Sequence, residues 1–216
     1  MAQKNSDKPL KEDVILEAAR HCFLNEGYSN TSMDALAAQA KVSVKTVYSH
    51  FGNKEQLFQA IMVSACADDG LFTKARSHEE LALKFAWYKD KSVKGLEQAG
   101  ILYLQHLLSA DHLALYRVVT AESARFPELG RLYDENIASG RTKLLTAYLQ
   151  SMTAEGGLSA DRSHADALIY EGMLRSSIFE RALNRIHIPS DLEIKKHAKS
   201  MAGAFWQLHN LPKTVI

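Results

Sequence analysis

Apolar residues recur at helical spacing along almost the whole of this chain. In the first such segment Ile15, Ala18, Ala19, Cys22 and Phe23 fall at i, i+3, i+4, i+7 and i+8, which lines one stripe of an α-helix. The strict alternation of a half-buried strand is missing. Four prolines and 11 glycines in 216 residues leave few of the residues that interrupt helices most strongly. At 46% hydrophobic the chain can bury a core without disulfides or metals. The expected fold class is all-α.

Charge nearly cancels, 26 Lys+Arg against 25 Asp+Glu. That excludes an overall polycation but not a local basic patch, because nucleic acid responds to where charge sits. Two cysteines, Cys22 and Cys66, are too few for a disulfide scaffold and fit a reducing compartment. Met1–Asp13 is charged and has no apolar segment, so it does not read as a signal peptide. No stretch approaches the roughly 18 apolar residues of a membrane span. A cytoplasmic protein with no membrane partner is expected.

The punctuation changes between Thr31 and Asn53. Gly27 stands where a left-handed C-terminal cap is expected. Three cap signals then follow: Thr31 with Asp34, Ser43 with Thr46, and Asn53 with Gln56. A Ser, Thr or Asn side chain at such a position satisfies an orphan amide at a helix start. The spacing predicts short helices near 32–39 and 43–50, separated by Ala40-Lys41-Val42, and a long helix from about 54. That is helix-turn-helix geometry, with the second helix available for a groove. Further helices are expected near 79–90, 93–108, 112–126, 128–152, 163–184 and 190–208, with breaks at Ser109-Ala110-Asp111, Phe126-Pro127, Glu155-Gly156-Gly157 and Ile188-Pro189-Ser190-Asp191. The boundaries suggest a flexible arm 1–9, a DNA-binding domain 10–69 with its helix-turn-helix at about 32–51, and a larger helical domain 70–216.

Residues 1–60 carry seven basic and seven acidic side chains, yet 41–54 hold Lys41, Lys45 and Lys54 and no acid. Phosphate neutralisation needs charge concentrated in this way. Helix starts add backbone amides and a partial positive dipole, so Thr31, with Ser32 beside it, and Lys54 are expected phosphate anchors. Tyr48 and His50 offer an O–H and a ring N–H to a backbone oxygen. Ser43, Val44, Lys45, Thr46 and Ser49 occupy the outward part of the short helix. There Lys45 is placed to meet guanine O6/N7, and Val44 or the Thr46 methyl a thymine methyl. Val47 and Phe51 fall on the opposite face and are expected in the core.

The run Ile15-Leu16-Glu17-Ala18-Ala19-Arg20, Phe23, Gly27-Tyr28, Thr31-Ser32-Met33-Asp34-Ala35-Leu36-Ala37, Val42-Ser43, Thr46-Val47-Tyr48-Ser49-His50-Phe51 and Asn53-Lys54-Glu55-Gln56-Leu57-Phe58 resembles the TetR family of bacterial transcription regulators over roughly residues 10–60. The resemblance implies that the second short helix enters the major groove, with Thr and Tyr at these positions on phosphates. It further implies a homodimer that binds a palindromic operator, and a small-molecule effector taken up by the larger domain. Two departures stand out: Lys41 holds a turn position usually given to glycine, and Val44-Lys45 replaces a more usual Lys-then-small pair. Ala121-Glu122-Ser123-Ala124-Arg125-Phe126-Pro127-Glu128-Leu129 looks like an efflux- and stress-regulator branch, AcrR-like, of the same family.

In the 163–184 segment Ala165, Leu168, Ile169, Gly172, Ser176, Phe179 and Leu183 form a stripe, and 190–208 shows Ile194, Ala198, Met201, Phe205 and Leu208. Ile169, Gly172, Ser176, Phe179, Met201 and Phe205 are the expected dimer contacts, since two such hairpins would form a four-helix bundle. Packing within one chain is the competing reading. Candidate effector contacts are Trp87, Tyr103, His106, Tyr116, Glu122 and Tyr170, and Glu122 or Glu171 would suit a cationic ligand. No nucleophile elbow, phosphate-binding glycine loop or dinucleotide fingerprint is present. The nine histidines form no metal-ligand motif. No catalysis, metal or cofactor is expected. A thiol sensor at Cys66 and an architectural DNA-binding protein remain as rival readings.

Overall fold

A computed structural model of the protein describes residues 11–67, 78–153 and 162–210. Among these residues the chain is helical and carries no strand. The arm 1–9, Lys4, Lys8, the break at Glu155-Gly156-Gly157 and the side chain of Cys66 lie outside the described residues. The chain divides into two compact units. One comprises Met1–Asp68 with Ala114–Asn136; the other comprises Asp69–Leu113 with Ile137–Ile216.

The first unit begins with α1 (Lys11–Glu26), α2 (Met33–Ala40), α3 (Val44–Phe51) and α4 (Lys54–Ala67). The apolar stripe read from α1 is its buried face: Ile15, Ala18, Ala19, Cys22 and Phe23 are all buried. Phe23 stacks on Tyr28 at 5.6 Å, and Phe58 of α4 meets both rings edge-on at 5.1 and 5.2 Å. Gly27 ends α1 at φ 85°, its amide donating to the Phe23 carbonyl at 3.1 Å. Burial, with Glu26 second, pushes the Cys22 thiol above its ordinary range. That suppresses the thiolate on which reactivity depends. The same unit takes in the end of α7 (Ala110–Glu122) and α8 (Pro127–Tyr133), where Pro127 opens the helix as expected.

The second unit holds α5 (His78–Lys84), a 3₁₀ turn (Ala86–Lys89), α6 (Val93–Leu107), the first residues of α7, and α9 (Ser139–Thr153), α10 (Ser163–Leu183) and α11 (Asp191–Asn210). α6 packs along α11 and also meets α10. Gly100 permits that approach, because a Cβ there would lie 2.6 Å from the Tyr170 hydroxyl and 3.0 Å from Leu174 Cδ2. Tyr170 in turn donates to the Leu96 carbonyl at 2.9 Å and packs on Phe205 at 5.1 Å. Buried Asp166 of α10 meets His209 of α11 at 3.3 Å.

Three expected helices are divided by local chemistry. The 79–90 helix stops at Lys84, and Phe85 takes an extended conformation before the 3₁₀ turn. The 128–152 helix is cut by a π-helical stretch, Asp134–Ala138. There the Asn136 amide donates to the Leu132 carbonyl at 2.8 Å, taking an acceptor that the backbone ladder would use. Within α10, Ser176 leaves the helical region at φ 23°, ψ −143°, so the Ala165–Leu183 stripe is not straight. His197 Nε2 donates from α11 to the nearby Leu174 carbonyl at 3.0 Å.

Candidate nucleic-acid interface

The turn between α2 and α3 is set by its caps. Ser32 accepts from the Ala35 amide at 3.1 Å and is the N-cap of α2. Thr31, the expected cap and phosphate anchor, is a correction: it is only 2% exposed and donates its hydroxyl to the Gly27 carbonyl at 2.8 Å. Its neighbour is one position nearer the helix and has the extended backbone a cap needs.

Lys41 ends α2 in the left-handed region, φ 55°, ψ 41°. Its amide donates to Ala38 and the Val42 amide to Ala37, at 3.2 and 3.0 Å, the paired bonds of a Schellman termination. Lysine therefore takes up the conformation usually left to glycine, with its side chain exposed. Ser43 then caps α3, accepting from the Thr46 amide at 3.1 Å and sharing a 2.7 Å hydroxyl contact with Thr46 Oγ1.

Val47 and Phe51 are buried, which fixes the rotation of α3. At 100° per residue, Lys45 and Ser49 point away from them, flanked by Thr46 and Tyr48. Lys45, Ser49, His50 and Tyr48 are exposed, the last at 48%, whereas Val44 and Thr46 are half-buried. Ser49 donates its hydroxyl back to the Thr46 carbonyl at 2.8 Å. Ser43 and Ser49 thus shape the helix while Lys45 and Tyr48 project from it. α3 carries no acidic residue in its first turn.

Lys54 behaves differently. Asn53 caps α4 by accepting from the Gln56 amide at 2.8 Å, but the Lys54 ammonium leans over the Tyr28 ring, 4.4 Å from its centre. Burial lowers the Lys54 pKa, and Glu122 acts to raise it. Glu122 accepts from the amide and hydroxyl of Ser29. A stretch without acids in sequence thus has an acid near Lys54 in space. No motif flags Ser29 and Glu122 as partners.

Residues 15–61 match the family model for bacterial regulatory proteins of the tetR family. Residues 94–208 match the model for the C-terminal domain of AefR-like transcriptional repressors. The chain belongs to the TetR family. It is 30% identical over 95 residues to the HTH-type transcriptional repressor AcnR of Corynebacterium efficiens, which covers 40% of this chain and 50% of that protein. The match thus spans half the length of that relative. A solved structure from Mesorhizobium loti assigned to the family superposes with a TM-score of 0.74 at 25% identity, covering 92% of this chain and 96% of that one. The flavonoid-responsive regulator FrrA superposes with a TM-score of 0.73, also at 25% identity, covering 94% and 98%.

The effector candidates of this TetR-family chain do not form one set. Tyr116 and Glu122 belong to the first unit; the Tyr116 ring packs edge-on against Tyr133 at 5.3 Å, and Glu122 is engaged by Ser29. Tyr170 is fully buried with its hydroxyl on the Leu96 carbonyl. Tyr103 and His106 join a buried polar cluster with His112, Arg141 and Glu171. In it Tyr103 donates to Glu171 at 3.4 Å, and the His106 and His112 rings lie 5.3 Å apart. Burial raises the Glu171 pKa, which weakens it as a counter-ion for a cationic ligand. Trp87 instead packs on Tyr148.

The dimer candidates of this TetR-family chain divide as well. Ile169, Gly172 and Ser176 are exposed and Met201 is half-buried. Phe179 and Phe205 are buried within their own chain, and that burial leaves them little surface for a partner.

Proposed function

We propose that this chain is a ligand-responsive transcriptional repressor that binds a palindromic operator as a homodimer. The observation that carries the reading is the outward face of α3: Lys45 and Tyr48 project from a helix whose rotation Val47 and Phe51 fix by burial. Such a helix suits the major groove, where Lys45 can donate to guanine and Val44 or Thr46 can meet a thymine methyl. Lys41 at the turn, Ser32 at the α2 cap, Ser43, Ser49, Tyr48 and His50 supply phosphate contacts around it, and Lys54 joins them on swinging away from Tyr28. The repressor AcnR among the relatives supports the regulatory role, and the flavonoid-responsive neighbour FrrA supports response to a small molecule.

In this reading residues 10–69 hold the operator, and 70–216 take the effector and pair two chains. The exposed Ile169 and Gly172, with Leu168 and Leu208, offer the pairing face. A Cβ at Gly172 would meet no atom of its own chain within 4 Å. The effector acts by favouring a state of lower operator affinity. The regulator is read as cytoplasmic and non-enzymatic; among the described residues no helix is long and apolar enough to cross a membrane.

The test is selection of bound duplexes from a random pool by the full chain, repeated with Lys45→Ala. A two-fold symmetric consensus is expected. Lys45→Ala should relax it at one position per half-site, costing roughly 1–3 kcal/mol there if the contact is bidentate. A wild-type chain that enriches no sequence overturns the reading. Binding at many dispersed genomic sites would point instead to an architectural role.

A further inference from the structure

The Lys54 ammonium lies 4.4 Å from the centre of the Tyr28 ring. That ring is held firmly. Tyr28 is buried, stacked on Phe23 at 5.6 Å and met edge-on by Phe58 at 5.2 Å and by Phe126 at 5.0 Å. The next residue, Ser29, is bound by both carboxylate oxygens of Glu122, and Arg125 donates to the Ser29 hydroxyl at 3.4 Å. The start of α4, the Gly27-Tyr28-Ser29 corner and the junction of α7 with α8 all belong to the first unit. The ring therefore stays in place if the ammonium leaves it.

Lys54 differs in this from the other two lysines of the 41–54 stretch. Lys41 and Lys45 are exposed, whereas Lys54 is half-buried. Burial lowers the Lys54 pKa, and Glu122 opposes that by raising it. Around Tyr28 the field is acidic too: burial first, then Glu128 and Glu55, push its phenol up to about 12. The bonds from Ser29 keep the Glu122 carboxyl below its usual range, so it stays ionised beside the lysine. An exposed cation–π contact multiplies an equilibrium constant by only about two to five. A phosphate contact draws in addition on counterion release, which strengthens as salt falls. The flexible four-carbon stem of lysine lets one ammonium pass between the two.

We propose that Lys54 is a phosphate contact held in reserve on Tyr28, and that Glu122, outside the helix-turn-helix, is a positioning residue that sets how readily it is released. This rests on the DNA-binding reading above and adds to it a control on one contact. Duplex binding then exchanges the Tyr28 ring and the Glu122 carboxylate for a phosphate oxygen.

The test follows the lysine Hε protons of the full chain by NMR, with Lys54→Met to assign the Lys54 signal. Protons held over an aromatic face are shielded by its ring current. In the free chain the Lys54 signal should lie upfield of those of exposed lysines, and saturating mixed-sequence duplex at low salt should return it to their range. Glu122→Gln retains hydrogen-bonding groups for Ser29 but removes the charge. It should tighten duplex binding about two- to fivefold and do so only where Lys54 is present, leaving a Lys54→Met chain unchanged. A Lys54 signal that is unshielded in the free chain, or still shielded at duplex saturation, would overturn the proposal. So would a Glu122→Gln gain that is absent, or equal with and without Lys54. The wild-type spectra decide the matter if Glu122→Gln does not fold. An operator bound tightly with Lys54 still shielded loses the reserve contact and keeps the regulatory reading. Release by mixed-sequence duplex from a chain that enriches no operator does the reverse, and a chain that binds no duplex loses both.

Discussion

Glu122 grips Ser29 through both carboxylate oxygens: Oε1 accepts from the Ser29 amide at 3.0 Å and Oε2 from its hydroxyl at 2.5 Å, across 93 positions of sequence. Those two bonds, the side-chain one foremost, hold the Glu122 carboxyl below its usual range. The Gly27-Tyr28-Ser29 corner that sets the start of α2 is thereby tied to the end of α7. Glu122→Ala should lower unfolding stability by about 1–2 kcal/mol, since it removes two charge-assisted bonds at a partly exposed site. Urea denaturation followed by circular dichroism measures this. A midpoint within error of wild type would show that the grip contributes nothing.

At Lys41 stability and DNA affinity are expected to move in opposite directions. A non-glycine residue at φ 55° is held against its own Cβ, at roughly 1 kcal/mol. Lys41→Gly should therefore raise stability by about that amount while removing an exposed cation from the turn. If Lys41 meets a phosphate, the slope of log affinity against log salt should become shallower by about one. An unchanged slope would remove it from the interface.

His112 is expected to be neutral and in one tautomer. Its Nδ1 lies 2.8 Å from the Leu107 carbonyl, which can only accept, so that nitrogen carries the proton. Nε2 then accepts from Arg141 Nη1 at 3.0 Å. Burial first, and the Arg141 charge second, hold the His112 pKa well below its usual value. The unfolded ring takes up a proton near pH 6.5 and the folded one does not, so the stability associated with His112 is complete above about pH 6.5 and declines below it. Two-dimensional ¹H–¹⁵N spectra should show an Nδ1–H ring that fails to titrate between about pH 8 and 5. A normal titration curve there would contradict the assignment.

The start of α11 carries a pH dependence of its own. Glu193 accepts from the Ser190 amide and hydroxyl, both at 2.8 Å, and from His187 Nε2 at 2.8 Å. Led by the Ser190 amide, these bonds hold its carboxyl at about 2. A depressed carboxylate contributes above its unfolded value of about 4.3 and loses that contribution as pH falls toward the folded one. Glu193→Gln should accordingly melt earlier than wild type at about pH 6, with the gap closing between about pH 4 and 2. A gap that persists at the acid end would assign the effect to packing. The capping box Ser190-x-x-Glu193 was available to the eye in the sequence.

How much was legible beforehand follows from the range of the forces involved. The α1 stripe, the Gly27 cap, the Ser43 cap and the burial of Val47 and Phe51 depend on neighbours within about four residues, and sequence spacing reports those directly. Choosing between Thr31 and Ser32 as cap failed because adjacent hydroxyls satisfy the same local rule. The Gly27 carbonyl, an acceptor at the end of α1, decided which of them turned inward. Asn136 interrupts a helix that periodicity runs together, because a side chain competing for one carbonyl leaves the apolar spacing untouched, and the apolar spacing is equally silent on the non-helical backbone at Ser176.

Sequence alone determined the all-helical class, the helix-turn-helix and the face of α3 that turns outward, because each follows from helical period and from capping over a single turn. Tertiary structure decided that Glu122 belongs with Ser29, that Lys54 rests on Tyr28, that Phe205 packs on Tyr170 within its own chain, and that Lys91 meets the Tyr148 ring. Those pairings join residues tens of positions apart, and only the packing of whole helices selects which of many chemically equivalent partners come within reach.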